Sequence, residues 1–114
     1  MTGNIEEMQR ALCLKHGADF CPPSPGSKLG MARDAATNIQ PLNGLRHQAQ
    51  CDTSGWYIWR GEKMSQKEDY FQPLHMEHMV EECPEALKFL ALPPGWRFLV
   101  SENHIDVWYD ANLL

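Results

Sequence analysis

Near the end of the chain, apolar and polar side chains alternate along two neighbouring runs, residues 96–100 and 104–110. The runs are rich in aromatic and β-branched residues and flank a short polar group, a pattern typical of a β-hairpin. A third run, residues 55–60, has the same composition and is predicted to join the same sheet. These three runs contain all four tryptophans, so we expect the core to be built here. On each hairpin strand, alternate side chains share a face: Trp96, Phe98 and Val100 on the first, and Ile105, Val107 and Tyr109 on the second.

Helical periodicity is present in residues 4–16, where apolar residues recur every three or four positions. Gly17 follows at the position where a helix commonly ends. A second helical region is predicted at residues 75–82. Pro84 is expected to stop this helix or to open a short one over residues 84–92, because proline suits a first helical turn and restricts the residue before it.

Two stretches give weaker signals. Residues 29–35 predict a weak strand at a sheet edge, since their β-propensity is poor. Residues 37–54 are expected to form a long irregular loop, in which Asn43 and Gly44 are a strong turn signal. A loop of this length inside a compact domain is usually functional or mobile, so the stretch is a candidate site on general grounds. Residues 69–74 are expected to lead into the second helical region. The predicted fold is therefore α+β, with an antiparallel sheet of about four strands and helices packed on one face of it.

The composition is that of a soluble globular protein, with 43% apolar and 22% charged residues. Residues 1–114 are predicted to form a single domain that is large enough to bury a core. The apolar runs are far shorter than the roughly 20 residues needed to cross a bilayer. Glu6 and Glu7 stand where a signal peptide would be positively charged and then apolar. These features predict a cytoplasmic protein without a membrane partner.

The net charge of −5 arises in the second half of the chain. Residues 55–114 carry ten acidic and five basic side chains, whereas residues 1–54 carry five of each. An acidic field repels phosphate backbones and attracts basic surfaces. The charge therefore disfavours a nucleic-acid partner and favours a basic protein.

Two histidines are the main candidates for metal chemistry. His75 and His78 are three positions apart on the second predicted helix, so their imidazoles can share a face. The spacing does not match H-E-x-x-H, and no third ligand is evident. A small metal-dependent enzyme or regulator that uses this pair is therefore the alternative function and not the preferred one.

No other pattern favours catalysis or a cofactor, and we expect the protein not to be an enzyme. Glu81 and Glu82 are typical of a solvated helix face. Cys51 or Cys83 could form a nucleophile pair with a distant histidine, but any chain with four cysteines and five histidines offers such a pair. The cysteine spacing is irregular and does not resemble a zinc or redox pair, so four reduced and mostly buried thiols are expected: Cys13, Cys21, Cys51 and Cys83.

Both faces of the strand at residues 55–60 are apolar. Trp56 and Ile58 alternate with Tyr57 and Trp59. Either helices cover both faces of the sheet, or one face is offered to a partner. Exposed Trp and Tyr beside acidic groups would make a binding hot spot for a basic protein.

Five segments stand in order along the chain: NGLRH at 43–47, SGWYIW at 54–59, FQPLHMEH at 71–78, LPPGWRFL at 92–99 and DVWYD at 106–110. As an ordered set they resemble small bacterial proteins classed as immunity proteins of the thirty-third type. The resemblance covers about residues 5–112. It implies a non-enzymatic cytosolic antitoxin that binds a cognate bacterial toxin and blocks it, with no catalytic residues to carry over.

The combined prediction is an immunity protein whose binding surface is acidic and has aromatic anchors. The expected partner is a toxin, and the acidic charge favours a basic one such as a nuclease domain. The sequence does not define the oligomeric state, since an exposed sheet edge would allow self-pairing. The predicted toxin-binding residues are Tyr57, Trp59, Glu62, Asp69, Glu77, Glu81, Glu82 and Asp106.

Overall fold

A computed structural model describes residues 2–24, 26–32, 40–49, 53–61 and 71–114, and for residues 2–4 and 82 it describes the backbone alone. Six strands, two α-helices and three short 3₁₀ segments follow one another in these ranges. The strands are β1 (Lys28–Ala32), β2 (Leu42–Arg46), β3 (Thr53–Arg60), β4 (Phe71–His75), β5 (Trp96–Ser101) and β6 (His104–Tyr109). The helices are α1 (Thr2–His16) and α2 (Met79–Glu82), and the 3₁₀ segments are Met76–His78, Pro84–Phe89 and Ala111–Leu113.

The six strands form one mixed sheet in the order β4-β1-β3-β2-β5-β6. Neighbouring strands are antiparallel except for β1 and β3, which run parallel. The α+β class is confirmed, but the expectation of about four antiparallel strands is wrong in number and in this pair. The two additional strands, β2 and β4, lie where the local signals predicted a turn and a lead-in to a helix.

Strand β2 occupies part of the predicted irregular loop, and tertiary contacts explain why. A Cβ atom on Gly44 would lie 2.1 Å from the ring of Phe98 on the neighbouring strand, so the glycine makes room for that ring. The side-chain amide of Asn43 donates to the Gly61 carbonyl at 2.7 Å and to the Pro41 carbonyl at 3.2 Å. The pair that signals a turn in isolation therefore serves packing and strand-end hydrogen bonds here.

Strand β1 was predicted at an edge, but it lies between β4 and β3. Gly30 is compatible with this interior position because the Tyr57 ring crosses it, and a Cβ atom there would lie 2.7 Å from that ring. Strand β4 is the edge instead, and it contains Pro73. An edge tolerates proline, because one side of the strand needs no ladder hydrogen bond.

The predicted hairpin is confirmed, since β5 and β6 pair from Trp96–Tyr109 to Ser101–His104 around a two-residue turn. Helix α1 is also confirmed, and Gly17 follows it with φ +71°. The region predicted as one helix at 75–82 is instead a 3₁₀ turn followed by a single turn of α-helix. The next segment, Pro84–Phe89, is 3₁₀ in its entirety.

The main core lies between one face of the sheet and the helical segments, and we call this the covered face. The rings of Phe98 and Phe89 stack at 4.3 Å with an angle of 10° between their planes. Trp56 contacts Phe98 at 5.6 Å, and its indole nitrogen donates to the Leu90 carbonyl at 3.0 Å. Helix α1 contributes Cys13, which is 2% exposed. This layer buries most of the large side chains of the domain.

Two buried arginines fasten the helical layer to the sheet. Arg46 donates to the carbonyls of Cys21 and Leu92, each at 2.7 Å, and to the Ser54 carbonyl at 2.9 Å. Arg60 forms an ion pair with Glu85 at 2.9 Å. A buried guanidinium requires such partners, because its five N–H groups are otherwise left without acceptors.

Candidate protein-binding face

The opposite side of the sheet, which we call the open face, carries a smaller apolar cluster. Its buried members are Ala32, Leu45 and Trp59, and Phe71 and Leu113 pack against them. Among the described residues, the helical segment that reaches this face is the C-terminal 3₁₀ turn Ala111–Leu113. The sequence left open whether helices cover both faces, and in the described part of the chain the long helix lies on the covered face alone.

A chain of ring contacts crosses the open face through Tyr57. The Tyr57 ring lies edge-on to His47 at 5.6 Å and to Phe71 at 5.1 Å, and Phe71 also contacts Trp59 at 6.3 Å. Tyr57 is 36% exposed, whereas Trp59 is only 5% exposed. Tyr57 is thus the more accessible of the two rings, and Trp59 supports it through Phe71.

Two glycines fix the geometry around this ring. Gly30 lets Tyr57 lie across β1, as described above. Gly55 has φ +91°, and a Cβ atom there would lie 2.1 Å from the carbonyl oxygen of His47. The close approach allows the His47 amide to donate to the Gly55 carbonyl at 2.9 Å. The imidazole of His47 is thereby held beside Tyr57, and its Nδ1 lies 3.0 Å from the Leu113 carbonyl oxygen.

Three depressions meet at Tyr57. One of ≈ 190 Å³ lies between Leu45, His47 and Phe71. A second of ≈ 290 Å³ extends over β1 toward Lys28 and Pro73. A third of ≈ 260 Å³ runs beside His47 to the C-terminal residues. An exposed aromatic ring surrounded by concave surface is the arrangement in which interface hot spots are found.

Polar groups on the open face are incompletely satisfied. Within the described ranges, two buried side-chain nitrogens have no hydrogen-bond partner: Trp59 Nε1 and Arg97 Nε. Both side chains project from the open face. Arg97 also forms an ion pair with Asp110 at 3.3 Å and lies over the Trp108 ring at 5.3 Å. A packed structural core would leave such donors paired.

The predicted acidic residues do not gather around Tyr57. Asp106 lies on β6, three strands away from β3, which is about 14 Å at the usual strand spacing. Glu77 and Glu81 follow β4, at the other edge of the sheet, and both are exposed. Glu62 and Asp69 lie outside the described residues, as does the Glu82 side chain. Apart from Tyr57 itself, the titratable side chains that line the three depressions, in the part of the chain described, are Lys28 and His47.

Within the described residues, the histidine pair and the cysteines form no assembled reactive centre. The His75 and His78 rings lie 5.9 Å apart, yet no set of three His, Cys, Asp or Glu side chains in the described ranges is placed to hold a metal. Cys83 is fully buried, and burial raises the pKa of its thiol to about 12, with the nearby Glu85 acting in the same direction. A thiol with that pKa stays protonated and is a poor nucleophile. Cys51 lies outside the described residues.

Sequence reasoning did not name three residues of this face individually: Leu45, His47 and Phe71. The first two were assigned to an irregular loop, and the third was assigned to a helix lead-in. No period-two alternation marks this strand, because its two leucines, Leu42 and Leu45, are three positions apart. The turn propensity of the Asn-Gly pair was the stronger local signal.

A model of the Imm33-like domain family matches residues 8–110. No curated protein and no solved structure matches the chain. Across the described residues, no helix is long and apolar enough to cross a membrane.

Proposed function

The chain belongs to the Imm33-like domain family, and we propose that it is a cytoplasmic immunity protein that binds a cognate bacterial toxin and neutralises it by occlusion. Family membership supports a binding role and a toxin partner. The protein acts without catalysis in this proposal, since occlusion needs only a tight complex.

The observation that carries the proposal is the meeting of three depressions at the half-exposed Tyr57. A partner that covered this ring would remove its apolar surface from water and fill the concave surface around it. Trp59 would contribute indirectly, because it supports Phe71 and hence the position of Tyr57. We therefore propose Tyr57 as the central anchor and the open face as the toxin-binding surface.

The acidic charge of the chain would act mainly by attracting a basic toxin from a distance, and less by forming contacts in the complex. The net charge of −5 favours a basic toxin, such as a nuclease domain, and speeds its approach. Asp106, Glu77 and Glu81 would act in this way from the two edges of the sheet, together with Glu62, Asp69 and Glu82. Removing one of them should lower the association rate and its salt dependence while leaving the dissociation rate nearly unchanged.

The test begins with the protein encoded beside this gene. That neighbour is expressed alone in a bacterial host and then together with this chain, and growth is measured. The proposal expects growth arrest in the first case and full growth in the second. A Tyr57→Ala variant should protect poorly, and the purified complex should show about a 30-fold or greater loss of affinity.

Val80→Ala is the matched control, because Val80 is also exposed but lies in the helical layer on the covered side. It should protect as well as the native chain. A neighbour that is harmless alone, and a native pull-down without a stoichiometric partner, would contradict the immunity function. Equal protection by the Tyr57 and Val80 variants would contradict only the placement of the binding surface.

A further inference from the structure

The two edges of the sheet differ in how well they are protected against further pairing. The edge strand β4 contains Pro73, which lacks a backbone donor, and proline is a common device that blocks edge pairing. The other edge strand, β6 (His104–Tyr109), contains no proline and no lysine. Its Ile105 and Tyr109 side chains are 53% and 50% exposed. In the described part of the chain, strand β6 is therefore an edge that lacks both of these devices, and it carries an exposed apolar stripe beside one charged side chain, Asp106.

The hydrogen-bond pattern identifies which backbone groups of β6 face outward. The two-residue turn closes on the Ser101–His104 pair, and the Asp110 amide donates to the Gly95 carbonyl at 2.7 Å. Hydrogen-bonded positions alternate along an antiparallel ladder, so the even-numbered residues bond to β5. The N–H and C=O groups of Ile105, Val107 and Tyr109 consequently point away from the sheet.

We propose that β6 pairs with β6 of a second copy of this chain, antiparallel and centred on Val107. The two sheets then continue into one another across a twofold axis normal to the sheet. In this register Val107 faces its own copy, and Ile105 faces the partner copy's Tyr109. All three outward-facing residues are in hydrogen-bonded positions, which gives about six interchain backbone hydrogen bonds.

The charges of β6 select this register over its neighbours. Centred on Val107, His104 lies opposite Asp110, and Asp106 lies opposite Trp108, whose indole N–H can donate to a carboxylate. Centring on residue 106 places two Asp106 side chains directly opposite each other. Centring on residue 108 places Asp106 opposite Asp110, and centring on residue 105 runs the pairing into the turn. Like charges opposite one another destabilise a strand pair.

The proposed dimer leaves the open face accessible, because the twofold axis extends the sheet sideways. It needs no toxin, so its test is independent of the proposed function. A pairing of two short strands buries little area and should give a modest affinity, with a dissociation constant on the order of 10 µM.

The first experiment is light scattering on the purified chain after size exclusion, over a range of concentrations. The native chain should approach twice the 13.1 kDa chain mass at about 100 µM. Ile105→Pro, which removes an outward donor, and Ile105→Lys, which places a charge on the apolar stripe, should each raise the dissociation constant at least about 30-fold. Ile105→Val is the matched control and should stay dimeric.

Cross-linking tests the register. A mixture of Ile105→Cys and Tyr109→Cys chains should form an interchain disulfide on mild oxidation, because directly opposed Cα atoms lie about 5.5 Å apart. Either variant alone should behave like the native chain under the same oxidant, since its own two copies would be about 14 Å apart. The proposal would be overturned by a native chain that is still monomeric at about 1 mM. It would also be overturned if the Ile105→Pro and Ile105→Lys variants were folded and dimerised normally.

Discussion

The covered and open faces of the sheet are made from the same strands, yet they differ in packing and in polar satisfaction. On the covered face, Phe98 and Trp56 are almost completely buried, and both buried arginines have close partners. On the open face, Tyr57 is half exposed, and the unsatisfied nitrogens found in the described residues belong to Trp59 and Arg97. The first arrangement stabilises the fold, and the second leaves exposed surface and unused hydrogen-bonding capacity, which the proposed function assigns to a partner.

Under the proposed function, this difference separates the residues that stabilise the domain from those that bind the partner. Alternation along a strand sends Trp56 and Ile58 to one side and Tyr57 and Trp59 to the other. Substitutions on the open side should therefore change binding at little cost to folding, and substitutions on the covered side should do the reverse. The predictions below test this separation, from the largest expected effect to the smallest.

Phe98→Ala should be the most destabilising substitution, at about 4 kcal/mol in the free energy of unfolding. The ring is 1% exposed and stacks on Phe89, so its removal loses apolar burial and leaves a cavity. Urea denaturation measures the change, with an unaltered m-value indicating that only stability has changed. A loss below about 1 kcal/mol would show that the covered face is not the main source of stability.

A double-mutant cycle with Gly44 sharpens this result. Gly44→Ala alone should lower the free energy of unfolding by about 2 kcal/mol or more, because the new methyl group overlaps the Phe98 ring. In the Phe98→Ala background the same substitution should cost less than about 1 kcal/mol, since the ring is gone. Additive effects would mean that the glycine is required for another reason.

Tyr57→Ala should separate binding from folding on the open face. The variant should lose about 2–3 kcal/mol of affinity for the toxin, measured by calorimetry, because in the proposed function the accessible ring anchors the complex. Its free energy of unfolding should fall by only about 1 kcal/mol, since a half-exposed ring buries less apolar area. A large loss of stability with unchanged affinity would reverse the assignment of the two faces.

Glu85→Gln should cost about 1–2 kcal/mol at neutral pH, because buried Arg60 loses its charged partner while Glu85 itself is 46% exposed. Partial burial raises the pKa of the Glu85 carboxyl, but the hydrogen bond from Arg60 and further bonds outweigh it, so the pKa lies below its ordinary value of 4.5. A lowered folded-state pKa gives stability that is present above pH 4.5 and lost as the pH falls through the folded value.

The difference in unfolding free energy between the native chain and Glu85→Gln should therefore shrink below about pH 4.5. Glu6→Gln is the matched control, because Glu6 pairs with Arg10 while both side chains are more than half exposed. That substitution should cost less than about 0.5 kcal/mol at any pH. If Glu85→Gln and Glu6→Gln lowered the free energy of unfolding equally, the partly buried ion pair would be no more stabilising than the solvated one.

The double substitution His75→Ala, His78→Ala should have the smallest effect. Both side chains are exposed, so stability should change by less than about 0.5 kcal/mol, and protection against the toxin should remain. Metal analysis of the native chain should find no bound transition metal. Stoichiometric metal that disappears in the double variant would instead support the alternative metal-dependent function.

Local sequence was sufficient where a segment's own residues decide its structure. The hairpin formed by β5 and β6 has strong alternation and a polar turn, and helix α1 has its apolar stripe and Gly17. Both were predicted because neighbouring residues alone favour them. The same alternation placed Tyr57 and Trp59 on one face of the sheet, and the structure has both rings there in contact with Phe71.

Local sequence was insufficient where a distant residue decides. Gly44 favours a turn by local sequence alone, but in the fold it leaves room for the Phe98 ring. Gly30 lowers the local strand propensity, but in the fold it leaves room for the Tyr57 ring. The distribution of the acidic residues depended on strand order. Asp106 and Glu77 are adjacent to opposite edges of the sheet, and only the topology of the six strands determines that separation.

The contacts of α1 have a consequence for the timing of folding. Gln9 donates to the Leu87 carbonyl, and Cys13 contacts the Ala91 carbonyl, in each case across 78 residues of sequence. At roughly 5–20 residues per second, the ribosome makes the helix about 4–16 s before it makes the surface on which the helix packs. The apolar side of α1 stays uncovered during that interval and is open to chaperones. The time at which a newly made molecule becomes functional is therefore set by synthesis of nearly the whole chain.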